Sequence, residues 1–232
     1  MKIFLILTLS LCAVQCSDIL IKVIQEAHIG NCKLGCNQCP QNGNNTLALA
    51  QTKLAKLKEE QKALEEDVTE AETTQSSVNN AGNATEDLSN AAQGNRRRRR
   101  KRASDTVSLT SCENPSAKIE GDVGTVILEV LAGIKKSLEA ISENSLDVTT
   151  LKCYILLAVD LTTRLHAGTL NKPSNVTAIV TFSVTVQQSV TTTRTTVVII
   201  VEKRKQALVV KKQEVTKAKQ DVIDAGGTVD GG

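Results

Sequence analysis

Residues 47–71 read LALAQTKLAKLKEEQKALEEDVTEA, and the spacing in this stretch decides the fold class. Leu47, Ala50, Leu54, Leu57, Gln61, Leu64, Val68 and Ala71 follow alternate steps of three and four. Such steps draw one stripe along a helix, as in a coiled coil. Lys53, Lys56, Lys58, Glu59, Glu60, Lys62, Glu65 and Glu66 fall between them, on the face suited to water. The pattern predicts a helix over 46–78 that meets a partner helix. Two partners are open: a second copy, giving self-association through 47–71, or another helix of the same chain. Gln61 is the polar stripe position, and one such residue can fix register.

Working outward toward the C-terminus, residues 73–95 lose the pattern to Ser, Thr, Asn, Gly and Gln. Gly82 and Gly94 read as helix breakers. The composition predicts a flexible linker over 79–102. It leads into the run Arg96 to Arg102, in which every residue is basic. Arg99, Lys101 and Arg102 match Arg-X-Lys-Arg, with Arg100 between them and the small pair Ala103-Ser104 after them. The match resembles the sites cut by furin-type proprotein convertases, whose acidic subsites read clustered positive charge. Cleavage is expected between Arg102 and Ala103, with a convertase as the processing partner.

The chain start fits that route. Lys2 supplies a positive charge, Ile3 to Val14 an apolar run, and Val14 and Cys16 the residues three and one before Ser17. This is the order of a secretory signal peptide over 1–16. The run is shorter than the roughly 20 apolar residues of a membrane span. The expected localisation is secreted and extracellular, with no transmembrane segment.

Five cysteines remain beyond the signal: Cys32, Cys36, Cys39, Cys112 and Cys153. An oxidising compartment favours their pairing, and an odd number leaves one for a partner chain or a free thiol. The simplest scheme joins Cys112 to Cys153 on one side of the basic run. His28, Cys32, Cys36 and Cys39, in a head over 17–45, have ligand types and spacing that zinc accepts. Disulfide bonding is the preferred reading, and no metal or cofactor is expected. Asn44, Asn83 and Asn175 each open an Asn-X-Ser/Thr sequon, each in or beside an expected loop, which makes them candidate N-glycosylation sites.

Residues 103–232 are expected to form a mature domain of about three helices. Val123, Val126, Ile127, Val130, Leu131, Ile134, Leu138 and Ile141 mark the first, with Gly133 as a weak point. Ser145 is the expected cap of the second, with Leu151, Ile155, Val159, Thr162 and Leu165 on its inner face and Gly168 as its stop. The third covers a harder stretch. Nineteen of the 26 residues in 176–201 are Val, Ile or Thr, which favours strands. Val201, Leu208, Val215 and Val222 then repeat at sevens. The helical continuation favours one long helix; a β-hairpin within 176–201 is the alternative. The fold class is therefore mainly α: an N-terminal coiled-coil helix, a flexible linker and a C-terminal helical bundle.

Charge narrows the function. The net +3 is an artefact of the basic run: residues 17–95 carry six Lys against eleven acidic groups, and 103–232 carry fourteen of each sign. No general affinity for nucleic acid follows, and the near absence of aromatic residues removes stacking platforms. Residues 103–149 are acidic and 202–219 basic; the ordinary reading of the basic stretch is a solvated helix face, and the alternatives are that it pairs with the first helix of the mature part or binds acidic glycans or anionic lipid. His28 and His166 are the only histidines, and no nucleophile elbow, phosphate loop or metalloprotease helix is present. The expectation is a secreted, non-enzymatic precursor with a structural or binding role after cleavage. The alternative is a signalling or toxin-like ligand released by the same cut.

Overall fold

The computed structural model describes residues 42–94 and 104–229. Among the described residues there are four helices: α1 (Asn42–Gln93), α2 (Val123–Glu139), α3 (Thr149–Ala167) and α4 (Val176–Asp224). A two-stranded antiparallel hairpin, β1 (Thr106–Thr110) and β2 (Lys118–Asp122), precedes α2. The mainly α expectation holds, and 176–201 is helix throughout. The chain falls into two units. The larger spans residues 55–217; the smaller joins the described residues up to Leu54 with those from Ala218.

The expected linker is the main correction. Residues 79–93 are the last four turns of α1, with no break at Gly82. Thr74, Val78, Ala81, Thr85, Leu88 and Ala92 are fully buried, and they again step by four and three. The stripe therefore does not fade after Ala71. It slips by one residue, with a step of three where four was due, and continues in smaller side chains. Small residues let two helices approach closely. At Gly82 an added Cβ would lie 3.2 Å from Cγ1 of Val190 on α4, a tight contact.

α4 presents Ile179, Ser183, Val186, Val190, Thr193, Val197, Ile200 and Val201 to the same core. Its strand-favouring residues stay helical because packing outweighs propensity, which costs only about half a kcal/mol per Val, Ile or Thr relative to Ala. The exposed threonines satisfy themselves within the helix. Thr191, Thr192, Thr195 and Thr196 each donate to the carbonyl four residues earlier, at 2.9–3.2 Å.

α2 buries every position of its expected stripe, from Val123 to Ile141 just past its end. Asp122 caps it, accepting from the Gly124 and Thr125 amides at 3.0 and 3.1 Å. Gly133 is a packing requirement rather than a weak point, because the Tyr154 ring of α3 fills the space a Cβ would occupy. The expected inner face of α3 holds in part: Leu151 is buried and Ile155 and Leu165 pack part-buried against the core, but the most buried line is shifted. Leu151, Tyr154, Ala158 and Leu161 are buried, whereas Val159 is half exposed. The ring against Gly133 fixes that rotation. Ser145 does not cap α3; the helix starts at Thr149, whose amide is received by Asp147 Oδ1 at 2.8 Å. Gly168 ends α3 as expected, with φ 69° in the left-handed region.

The hairpin was not foreseen. Val107, Leu109 and Ile119 alternate inward, too briefly to register beside the helical stripes. Its loop carries Cys112, which is bonded to Cys153 of α3 across a Cα–Cα distance of 5.8 Å.

In the smaller unit Leu54, Ala218 and Val222 are buried, and Lys53 Nζ meets Asp221 Oδ2 at 3.1 Å.

Candidate functional site

Within the larger unit, α1 and α4 form one antiparallel pair. Gln187 Nε2 on α4 donates to the Gly82 carbonyl of α1 at 2.7 Å. Further along, Arg204 Nη1 donates to the Asp67 carbonyl at 2.6 Å and meets Glu70 Oε2 at 3.2 Å. Lys205 reaches Glu72 at 3.0 Å, Lys211 reaches Glu60 at 2.9 Å, and Lys212 reaches Glu65 at 3.3 Å. As the number rises on α4 it falls on α1. The slip at Ala71–Thr74 lies at the level of the Arg204 contacts.

These pairs show what the basic face meets. The basic face over 202–219 is met chiefly by acidic groups of α1, not by 103–149. From the latter segment only Lys203–Glu143, at 3.4 Å, joins the two among the described residues. The electrostatics follow the contacts. The Lys211 ammonium holds the Glu60 carboxyl below its usual range. Gln61 and then Lys212 do the same for Glu65. Glu72 raises Lys205, and Glu214 with Glu60 raises Lys211. Such part-exposed pairs add little stability one by one; a row of them sets register and partner choice.

Of the 47–71 stripe in the larger unit, Val68 and Ala71 are buried and Leu57, Gln61 and Leu64 are part-buried, on the stretch of α1 whose carboxylates meet α4.

Arg99, Arg100, Lys101, Arg102 and Ala103 lie outside the described residues. Their flanks do not. The Gln93 carbonyl, one residue from the end of the first described segment, accepts from Lys172 Nζ at 3.0 Å. On the far side, the Ser104 amide donates to the Thr169 carbonyl and the Asn171 amide to the Ser104 carbonyl, both at 2.9 Å. Asn171 also donates to Asp105. Both ends of the basic connection are therefore tied to one short segment, Thr169–Lys172. The sequence offered no sign of this, since it depends on where the end of α1 and the α3–α4 turn meet.

The other expected sites divide. Cys112 and Cys153 are together, whereas Cys32, Cys36 and Cys39 lie outside the described residues. Asn83 stands exposed on α1, in a helix rather than beside a loop. Asn44 is also within α1. Asn175 is half-buried against Gly124 at the start of α4, and its Oδ1 is buried with no donor. His166 is exposed in the last turn of α3.

Catalytic geometry is not assembled by any of these contacts. A cavity of about 380 Å³ lies between the end of α2 and α4, lined by Leu138, Ile141, Thr185, Gln188, Thr192 and Glu139 among others. Its one carboxylate, Glu139, is engaged by Lys135. Among the described residues no three His, Cys, Asp or Glu converge as a metal site, and no helix is long and apolar enough to cross a membrane. Comparison with protein-family models, curated proteins and solved structures finds no match to this chain.

Proposed function

We propose that the chain is a secreted, non-enzymatic precursor, cut by a furin-type convertase after Arg102, with a structural or binding role in extracellular fluid. The supporting observation is how the two flanks of the basic run are held. The run connects Gln93 and Ser104, two points that the fold already holds on Thr169–Lys172. A break between them cuts a link without breaking any described contact. The signal peptide order of residues 1–16 and the Arg-X-Lys-Arg match support the same route. The ligand alternative is less favoured, because much of the basic face it would offer a receptor is engaged by α1.

The test is the intact mass of the product secreted from cells that carry convertases, measured denatured and reduced. The expected species start at Ser17 and at Ala103, and Arg102→Ala suppresses the second. A single species spanning 17–232 refutes the processing.

A further inference from the structure

We infer that the cut does not release the C-terminal part: the product is a one-to-one, two-chain particle in which the N-terminal fragment stays docked on α4 through α1. The inference rests on the proposed cleavage only for its occurrence in the cell. The docking itself stands on described contacts.

Three observations carry it. First, the core is shared. Val78, Ala81, Leu88 and Ala92 of α1 and Val186, Val190 and Val197 of α4 are buried in one cluster with the α2 stripe. Taking α1 away would expose those α4 residues along a stretch whose composition favours strands. The C-terminal fragment is therefore an incomplete fold by itself. Second, the junction is specific. Gln187 and Arg204 of α4 donate to backbone carbonyls of α1, and Lys172 donates to that of Gln93. Thr74 Oγ1 donates to the Leu146 carbonyl at 3.0 Å. The charged rows add direction, with Glu60, Glu65, Glu70 and Glu72 on α1 against Lys211, Lys212, Arg204 and Lys205 on α4. Third, the described covalent cross-link does not bridge the cut, since Cys112 and Cys153 both lie after it. What holds the fragments is the helix interface.

Severing the connection lowers the effective concentration of α1 from the mM range of a short tether to the actual fragment concentration. An interface that is part of the domain core is expected to survive that change at about 1 μM.

The test separates docking from processing. Residues 96–102 are replaced by the recognition sequence of an unrelated site-specific endoprotease, and Cys32→Ser, Cys36→Ser and Cys39→Ser remove further thiols. The folded chain is cut in vitro, and denaturing mass confirms two fragments. Size exclusion and native mass are then read at about 1 μM, in low salt and in high salt. The expected result is one complex of both fragments, with unchanged helical circular dichroism, that separates only in denaturant. Fragments that part in native buffer overturn the inference, as does a C-terminal fragment that keeps its full helix content alone. Glu70→Lys with Glu72→Lys is expected to weaken docking at least about tenfold, and Arg204→Glu with Lys205→Glu to restore it. Equal docking by every charge variant would refute the assigned register. If the natural run proves uncut in cells, the processing proposal fails while this result stands.

Discussion

Replacing Gly133 with alanine probes the contact that sets the rotation of α3. Alone, the change favours the helix by about 1 kcal/mol. Here the new methyl meets Cδ1, Cε1 and Cζ of Tyr154. The ring is only 6% exposed and has little room to swing away. Overpacking of this kind costs about 1–3 kcal/mol, and overlap with three rigid ring atoms points to the upper end. The net expectation is a loss of about 2 kcal/mol, after the propensity gain is set against the clash. In a Tyr154→Ala background all three ring atoms are gone, so Gly133→Ala should gain about 1 kcal/mol instead. The coupling between the two sites is then about 3 kcal/mol, within the range for residues in contact. Urea unfolding of the oxidised protein, followed by far-ultraviolet circular dichroism, measures all four variants. If Gly133→Ala stabilises the parent protein, or costs the same in both backgrounds, the packing account of α3 is wrong.

Three further outcomes follow from the same contacts. Leu88→Ala should cost about 2–5 kcal/mol, although it sits in a stretch composed like a linker, whereas exposed Asn83→Ala should stay within about 0.5 kcal/mol; urea midpoints decide. Replacing Cys112 and Cys153 with serine opens a loop with a sequence separation of 41, which should lower stability by about 4 kcal/mol in the same assay. Acid should loosen α1 from α4. Glu60, held by Lys211, and Glu65, held by Gln61 and Lys212, have carboxyls below their usual range. Lowered carboxyls add stability above the unfolded value, near pH 4.3, and lose it as pH falls through the folded value. Urea midpoints taken from pH 7 to pH 3 should therefore fall at the acid end, and Lys211→Met should flatten that fall.

Much of this fold was legible because large apolar residues recur at helical spacing. The stripe from Val123 to Ile141 and the stop at Gly168 stand where the sequence placed them. The end of α1 was not legible by the same rule. Thr74, Ala81, Thr85 and Ala92 are small or polar, so a reading that weighs hydrophobic bulk sees a linker. The steps of four and three were nevertheless present from Thr74 to Ala92. Counting small residues as possible contact positions, and allowing one slip in phase, would have found them. The face of α3 was read only in part, for a tertiary reason. Two stripes one residue apart compete there, and only the fit of Tyr154 on Gly133 chooses between them. For the candidate site, the sequence identified the basic run and the basic face over 202–219. It did not identify α1 as the acidic partner, because a composition shift at the run suggested two separate parts where one core spans both.

The account turns on α1 being core up to its last turn, which makes the segments before and after the basic run two pieces of one fold. Amide hydrogen exchange over residues 74–92 of the intact, folded chain tests this most directly. The account predicts protection comparable to that of the α2 amides from Ile127 to Ile134. Exchange over 74–92 as fast as in an unstructured peptide, with α2 still protected, would contradict it.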